Sequence, residues 1–354
     1  MTSRNHPALL PNGLLDLLPP FAEHEAATIA LFMKQFSAFG YLRVKPPLVE
    51  FEESLLGDGP GSKLARQTFR MMDPVSQRMM GVRADATAQI ARIATSRLGG
   101  EKRPLRLSYA ADVLRVNGTQ LRPERQFCQV GCELVGADDV VTDVEMPLVA
   151  LKALSAAKIE NLSVDLTVPT LVSHLYDETN AGEDEREALN DLIEKRDLDG
   201  IKKVGTTSSS LIAAMLEQRG AFDVSSLPAK AAADMTLLRN VAAELRAALD
   251  IYGLGDVQVT VDPLERRGFE YQTGVSFTLF ARGARGELGR GGRYDIAVVG
   301  KDAETATGFT LYMDTILRAA PDASVSAAQN VPADTGWAEI KSLQDKGLSV
   351  SRQS

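Results

Sequence analysis

The sequence predicts an α+β fold built around an antiparallel sheet. Three observations carry that reading. Strand-like runs outnumber long helices in the core of the chain. Successive strands follow one another as hairpins, not as a regular βαβ series. Helical texture concentrates in one acidic block, residues 170–250. The organisation expected is a core made of residues 1–169 and 251–320, a helical insertion at 170–250, and a short C-terminal segment at 321–354.

Residues 20–40 read as an amphipathic helix, because Ile29, Phe32, Met33, Phe36 and Phe39 recur at helical spacing and Gly40 stops the run. YLRVKPPLVEF follows as a strand broken by Pro46 and Pro47. Adjacent prolines cannot donate to a central ladder, so they mark an edge, a bend or an interface. Residues 62–83 read as a hairpin turning at Pro74. A helix comes next, with Asp85 or Thr87 near its N-cap and Ile90, Ile93 and Leu98 on one side. LRLSYAADVLRV and RQFCQVGCELVG read as two strands joined by the arginine-bearing loop NGTQLRPER, which is long enough to close over something.

Residues 138–158 form another helix, striped by Val144, Leu148, Leu151 and Leu154, and VDLTV is a strand. After the helical block come the strands VQVTVD and RRGFEYQTGVSFTLFA. RGARGELGRGGRYD reads as a glycine-rich connection. ATGFTLYMDTILRAA reads as strand then helix, and the last 30 residues as one helix and one strand.

Composition narrows the function classes. The chain has 354 residues, 44% apolar and 24% charged, as in a soluble globular protein of two or three domains. No apolar run reaches the ~18 residues of a membrane span, and MTSRNHPALLPNG lacks the features of a signal peptide. Two cysteines in a chain this long suit a reducing, cytoplasmic setting. Three scattered histidines give no zinc pattern, and a net charge of −8 gives no overall attraction to nucleic acid. Neither a metal nor a cofactor is expected.

The stretch Arg125–Gly136 poses the functional question. Read as a strand, Cys128, Val130, Cys132 and Leu134 point one way, while Phe127, Gln129, Gly131 and Glu133 point the other. The second face meets either water or a ligand. Elsewhere, Arg83, Asp85 and Thr87 alternate at a strand-to-helix junction, Arg266 and Arg267 open a strand, and GRGGRYD ends in Tyr294 without the spacing of a phosphate-binding loop. There is no nucleophile elbow and no histidine in a catalytic context. What remains is a polar set on strand faces: Asp85, Thr87, Arg115, Gln129, Glu133, Arg267 and Tyr294. Two carboxylates with hydroxyls and an amide suit a small cation, and arginines suit its anionic end. An amino acid with a basic side chain fits that description.

The order of these pieces resembles histidyl-tRNA synthetase, a class II aminoacyl-tRNA synthetase. GYLRVKPPLVEF looks like motif 1, VRADATAQIAR like the synthetase L-R-P-E-G-T stretch, and VLRVNGTQLRPERQFCQVGCELVG like motif 2. RRGFEYQTGVSF and GRGGRYD look like the two histidine-specific signatures, and TGFTLYMDTIL sits where motif 3 belongs. The likeness runs from about residue 12 to 320 and is weakest over 170–250. It implies a class II synthetase-like sheet flanked by helices. It also implies a histidine-binding set of Asp85, Thr87, Arg115, Gln129, Glu133, Arg267, Tyr271 and Tyr294, in which Asp85 stands for a glutamate.

Departures from the synthetase pattern fall on the ATP side. Motif 2 carries F-R-x-E in a synthetase; here the run is Leu114-Arg115-Val116-Asn117. Motif 3 ends in G-x-E-R; here it is Tyr312-Met313-Asp314-Thr315, so the arginine that binds the triphosphate is replaced by Thr315. Losing a charge-assisted phosphate contact costs roughly 1.5–3 kcal/mol in binding, and more where charge develops in a transition state. Within the histidine pocket, Gln272 replaces a tyrosine. About 30 C-terminal residues are also too few for an anticodon-binding domain of roughly 100 residues.

A synthetase-like core with these losses resembles the regulatory subunits of ATP phosphoribosyltransferase. That resemblance implies a non-catalytic chain that joins a short-form catalytic subunit in a hetero-oligomer. It also implies self-association as a homodimer near Pro46 and Pro47, L-histidine as the effector, and no tRNA or membrane partner. The alternatives are an active histidine–tRNA ligase and a stand-alone histidine-binding regulator.

Overall fold

The computed structural model describes residues 9–57, 61, 64–218, 222–266, 271–298, 302–321 and 328–353. Its first helix, α1 (Phe21–Ala38), buries Phe32 and Phe36 completely, one turn apart, as their spacing predicts. The proline-broken strand is two strands, β1 (Leu42–Arg43) and β2 (Val49–Phe51), with Pro46 and Pro47 in the link between them. The buried guanidinium of Arg83 holds that link by donating to both proline carbonyls at 3.1 Å. After the short α2 (Glu52–Leu55), the hairpin over 62–83 forms as β3 (Arg70–Met72) and β4 (Met79–Val82), and β4 also pairs with β2. The next helix, α3 (Thr87–Thr95), has Ala86 at its N-cap; Asp85 nevertheless accepts the Thr87 N–H at 2.9 Å, while Leu98 lies in the turn beyond the helix. Asp85 and Thr87 thus flank the N-cap, near it as expected.

The long hairpin is β5 (Leu105–Leu114) and β6 (Gln126–Val135), ten residues paired to ten. Helix α4 (Val140–Ala156) and β7 (Leu162–Thr167) follow. Among the described residues, the expected helical block holds five α-helices, α5 (Thr170–Glu178), α6 (Glu183–Glu194), α7 (Leu198–Val204), α8 (Thr207–Gln218) and α9 (Ala229–Ile251), and a 3₁₀ turn at Val224–Ser226. Then come β8 (Gln258–Val261), β9 (Gln272–Ala281), β10 (Gly289–Ile296), β11 (Glu304–Tyr312) and α10 (Met313–Ala319). The described tail contains β12 (Gln329–Val331), α11 (Trp337–Asp345) and β13 (Val350–Arg352), one strand more than the sequence suggested.

Eight strands form the main sheet in the order β1-β5-β6-β11-β10-β9-β7-β8. The inner pairs are antiparallel, whereas β1–β5 and β7–β8 at the two edges are parallel, so the sheet is mixed. This is an α+β architecture around a largely antiparallel sheet, as the sequence predicts. One face of β6 (Cys128, Val130, Cys132 and Leu134) packs with α1 and α4 in the large core. Both cysteines are free and buried. Among the described residues, no helix is long and apolar enough to cross a membrane.

One expectation is overturned. GRGGRYD is not a connection but the strand β10, between β9 and β11. Its glycines are needed for close approach: a Cβ on Gly291 would sit 2.4 Å from the Gly308 carbonyl oxygen, and one on Gly292 would sit 2.4 Å from Ser276 Oγ.

Candidate ligand-binding site

The second face of β6 meets neither solvent nor a plain apolar core. Gln129 and Glu133 are 0% and 1% exposed. A cavity of about 760 Å³ lies over this face, and Asp85, Thr87, Arg115, Glu133, Tyr271 and Tyr294 line it. Six of the eight residues named from the sequence are thus brought together. Arg267 lies outside the described residues. Gln129 stands behind the wall: its amide oxygen accepts the Ala86 N–H at 2.9 Å, and its Nε2 donates to Asp85 Oδ2 at 2.7 Å. It therefore locks the start of α3 and aims Asp85 into the cavity.

Each carboxylate is held by donors. Asp85 takes the Thr87 N–H and the Gln129 amide, and Arg115 stands 3.9 Å away. Glu133 Oε2 accepts the Tyr294 O–H at 2.9 Å. Gly308, its neighbour on β11, makes room: a Cβ there would lie 1.7 Å from Glu133 Oε2. Burial pushes the Glu133 carboxyl up to about 8. The Tyr294 and Thr87 hydroxyls pull it back, and the Asp85 charge raises it further. Burial also holds the phenols of Tyr109, Tyr271 and Tyr294 well above their ordinary range, so they stay neutral. The rings of Tyr271 and Tyr294 meet edge to face at 5.6 Å. A neutral or reionisable carboxyl, a second carboxylate and aromatic walls make a floor suited to a small cationic group.

The cavity is also lined by Tyr312 of the motif 3 run and by residues not singled out from the sequence: Arg122, Glu287, Arg290 and Thr310. Arg290 was missed because GRGG was read as a loop; read as a strand, Arg290, Gly292 and Tyr294 share one face. Arg122 was legible only as part of a loop able to close. Its guanidinium lies 3.9 Å above the Tyr312 ring and 5.0 Å from that of Phe127. It donates to Asp314 Oδ2 at 2.8 Å and to Thr315 Oγ1 at 3.3 Å. Arg318 adds bonds to Glu124 at 3.0 Å and to Asp314 at 3.4 Å. The loop between β5 and β6 is thereby latched to the start of α10.

Arg122→Ala is expected to lower stability by about 1–3 kcal/mol in urea denaturation, because Asp314 is largely buried and keeps only Arg318. Amide exchange over residues 116–125 should rise with it. Unchanged protection there would mean that the loop is held by other contacts.

The chain matches the family model for histidyl-tRNA synthetase over residues 13–316. It is 50% identical over 347 residues to the ATP phosphoribosyltransferase regulatory subunit of Rhodospirillum centenum, covering 96% of this chain and 88% of that one. It is 47% identical to the corresponding subunit of Paramagnetospirillum magneticum, covering 96% and 89%. Among solved structures, it superposes with a TM-score of 0.81 and 22% identity on a Bacillus halodurans protein described as an ATP phosphoribosyltransferase regulatory subunit/histidyl-tRNA synthetase, covering 99% of this chain and 93% of that one. Histidyl-tRNA synthetase from Nostoc superposes with a TM-score of 0.76 and 16% identity, covering 99% and 86%.

Proposed function

Because the chain belongs to the histidyl-tRNA synthetase family and, within it, to the ATP phosphoribosyltransferase regulatory subunits, we propose that it controls a short-form catalytic subunit in response to L-histidine. In this reading, the chain itself carries no catalytic residue. It favours the active conformation of its partner, and histidine bound in the cavity shifts the assembly toward an inactive one. Coupling of about 1–3 kcal/mol gives roughly 5- to 150-fold control.

The observation that carries the reading is the contrast between the two ends of one cavity. The floor keeps carboxylates and hydroxyls arranged for an amino acid: Asp85, Thr87, Glu133 and Tyr294. At the other end, Arg122 from the chain's own loop lies against Tyr312 and bonds Thr315, where a synthetase has glycine and arginine. A guanidinium already spent on Asp314 is poorly placed to bind a triphosphate. Two free buried cysteines support a reducing cytoplasmic setting. Exposed Leu42, Leu48 and Met72 around the β1–β4 region support a twofold homodimer there.

The test is phosphoribosyltransferase activity of the short catalytic subunit as this chain is titrated in. The expected result is a saturable rise in rate that L-histidine reverses. A flat response with both proteins folded would reject the proposal. Histidine-dependent pyrophosphate exchange by the chain alone would then favour an active histidine–tRNA ligase.

A further inference from the structure

We infer that the helical insertion carries the histidine signal out of the cavity, and that Asn190 and Arg196 are the positioning residues that link the two. The inference rests on the reading of the cavity as a histidine site and adds the route by which occupancy is read.

The stretch between β8 and β9 leads to Tyr271 in the wall of the ligand cavity. The insertion grips the start of that stretch at two points. Arg196 forks onto Asp262, donating to Oδ1 at 3.2 Å and also to Oδ2, and it stands 3.6 Å from Glu265. Arg266 donates to Asn190 Oδ1, which also accepts the O–H of the buried Tyr176 at 3.1 Å. Strand β7 and the residue after it hold the same stretch: the Asp262 N–H donates to the Leu166 carbonyl at 2.9 Å, and the Thr167 hydroxyl donates to the Glu265 carbonyl at 2.7 Å.

Two further features set this contact apart from a surface ion pair. Helix α6 stops in a hydrogen-bonded turn, with the Asp197 N–H on the Leu192 carbonyl and the Arg196 N–H on that of Ile193, both at 3.0 Å. Arg196 stands in that turn at φ +54°, where helices ordinarily place glycine. The backbone alone favours glycine there, so the reason for an arginine lies in its side chain, which reaches Asp262. The second feature is a cavity of about 190 Å³ beside the gripped stretch. Thr167, Asp262 and Glu265 line it together with Phe280, Glu287 and Arg290, and the last three also line the ligand cavity. The stretch therefore borders open space that shares walls with the ligand site, which leaves it room for a second position. Coupling requires an element of this kind, with an equilibrium that both sites bias. A ligand that draws on Tyr271 shifts the stretch, and the two grips make α6 follow.

The experiment uses the full chain with the short catalytic subunit. Arg196→Gly removes the fork and suits the turn, and Asn190→Ala combined with Arg196→Gly opens both grips; thermal melts verify that both variants fold. Histidine affinity, measured by calorimetry on the full chain, should stay close to that of the parent, and the rate without histidine should be unchanged. Inhibition by saturating histidine should fall at least about fivefold in the double variant. Histidine should also change amide exchange across α6 in the parent and not in the double variant, a contrast that a purely structural role would not produce. Inhibition as deep in the folded double variant as in the parent overturns the role of the grips and leaves the histidine reading intact. Loss of histidine affinity along with inhibition overturns it too, because the two residues then only shape the binding site. Exchange over α6 that ignores histidine in the parent does the same. A parent assembly that neither binds nor responds to histidine overturns the histidine reading as well.

Discussion

Asp85→Ala combined with Glu133→Ala is expected to abolish L-histidine binding and leave the chain folded. Both carboxyls line the cavity and are oriented by fixed donors: the Thr87 N–H and the Gln129 amide for Asp85, and the Tyr294 hydroxyl for Glu133. A charge-assisted hydrogen bond contributes about 1.5–3 kcal/mol. Two of them lost to a cationic ligand weaken binding by roughly 10²- to 10⁴-fold. The structural cost is smaller. Asp85→Ala removes an acceptor at the start of α3, worth about 1 kcal/mol. Glu133→Ala removes a group whose charged form is disfavoured by burial, which offsets part of the cavity it leaves. Calorimetry measures the affinity, and circular dichroism with a thermal melt checks the fold. Unchanged affinity in a folded double variant would place the histidine sensor elsewhere, such as at a subunit interface.

How far the sequence reached depended on the range of the interactions involved. The β5–β6 hairpin was legible because ten-residue alternation and a short-range connection define it. Helix α1 was legible because Phe32 and Phe36 mark its buried side. The parallel edges of the sheet were not, since Leu42 pairs with Leu107 and Ser163 with Gln258, and nothing local encodes such pairings. β10 was misread because its glycines carry turn propensity, whereas their actual cause is the close approach of β9 and β11.

The site shows the same division. Gln129 and Glu133 share a strand face and were named together. Only Glu133 reaches the cavity, because the start of α3 lies over Gln129 and takes its amide. The latch of Arg122 on Asp314 joins residues 192 positions apart, and no spacing rule predicts it.

Glu133→Gln is expected to flatten the pH dependence of stability and to make the unliganded chain more stable in mild alkali. Glu133 has an ordinary value of 4.5, and burial carries it to about 8 in the folded chain, with the Asp85 charge adding to the rise against the hydroxyls of Tyr294 and Thr87. The sign follows from proton counting. Between 4.5 and 8, the folded chain holds a proton that the unfolded chain has released, so stability falls as pH rises through that window. The contribution is fully present below 4.5 and lost above 8. At about 1.4 kcal/mol per pH unit, the loss accumulates to on the order of 4–5 kcal/mol, a large share of a typical net stability of about 5–15 kcal/mol.

The phenols facing Glu133 do not supply this slope. Tyr109, Tyr271 and Tyr294 are held neutral by burial throughout the window. Glutamine keeps the shape and an oxygen for the Tyr294 O–H, and it does not titrate. Urea denaturation of parent and variant at pH 5.5, 7.0 and 8.5 should therefore diverge progressively, with the variant ahead at the highest pH. Parallel curves would remove Glu133 as the titrating group. The same proton links stability to the proposed sensing. A cationic ligand favours the ionised carboxyl, so histidine binding near pH 7 should release a fraction of a proton from the parent. Calorimetry in buffers of different ionisation enthalpy counts that release, and Glu133→Gln should show none from this site.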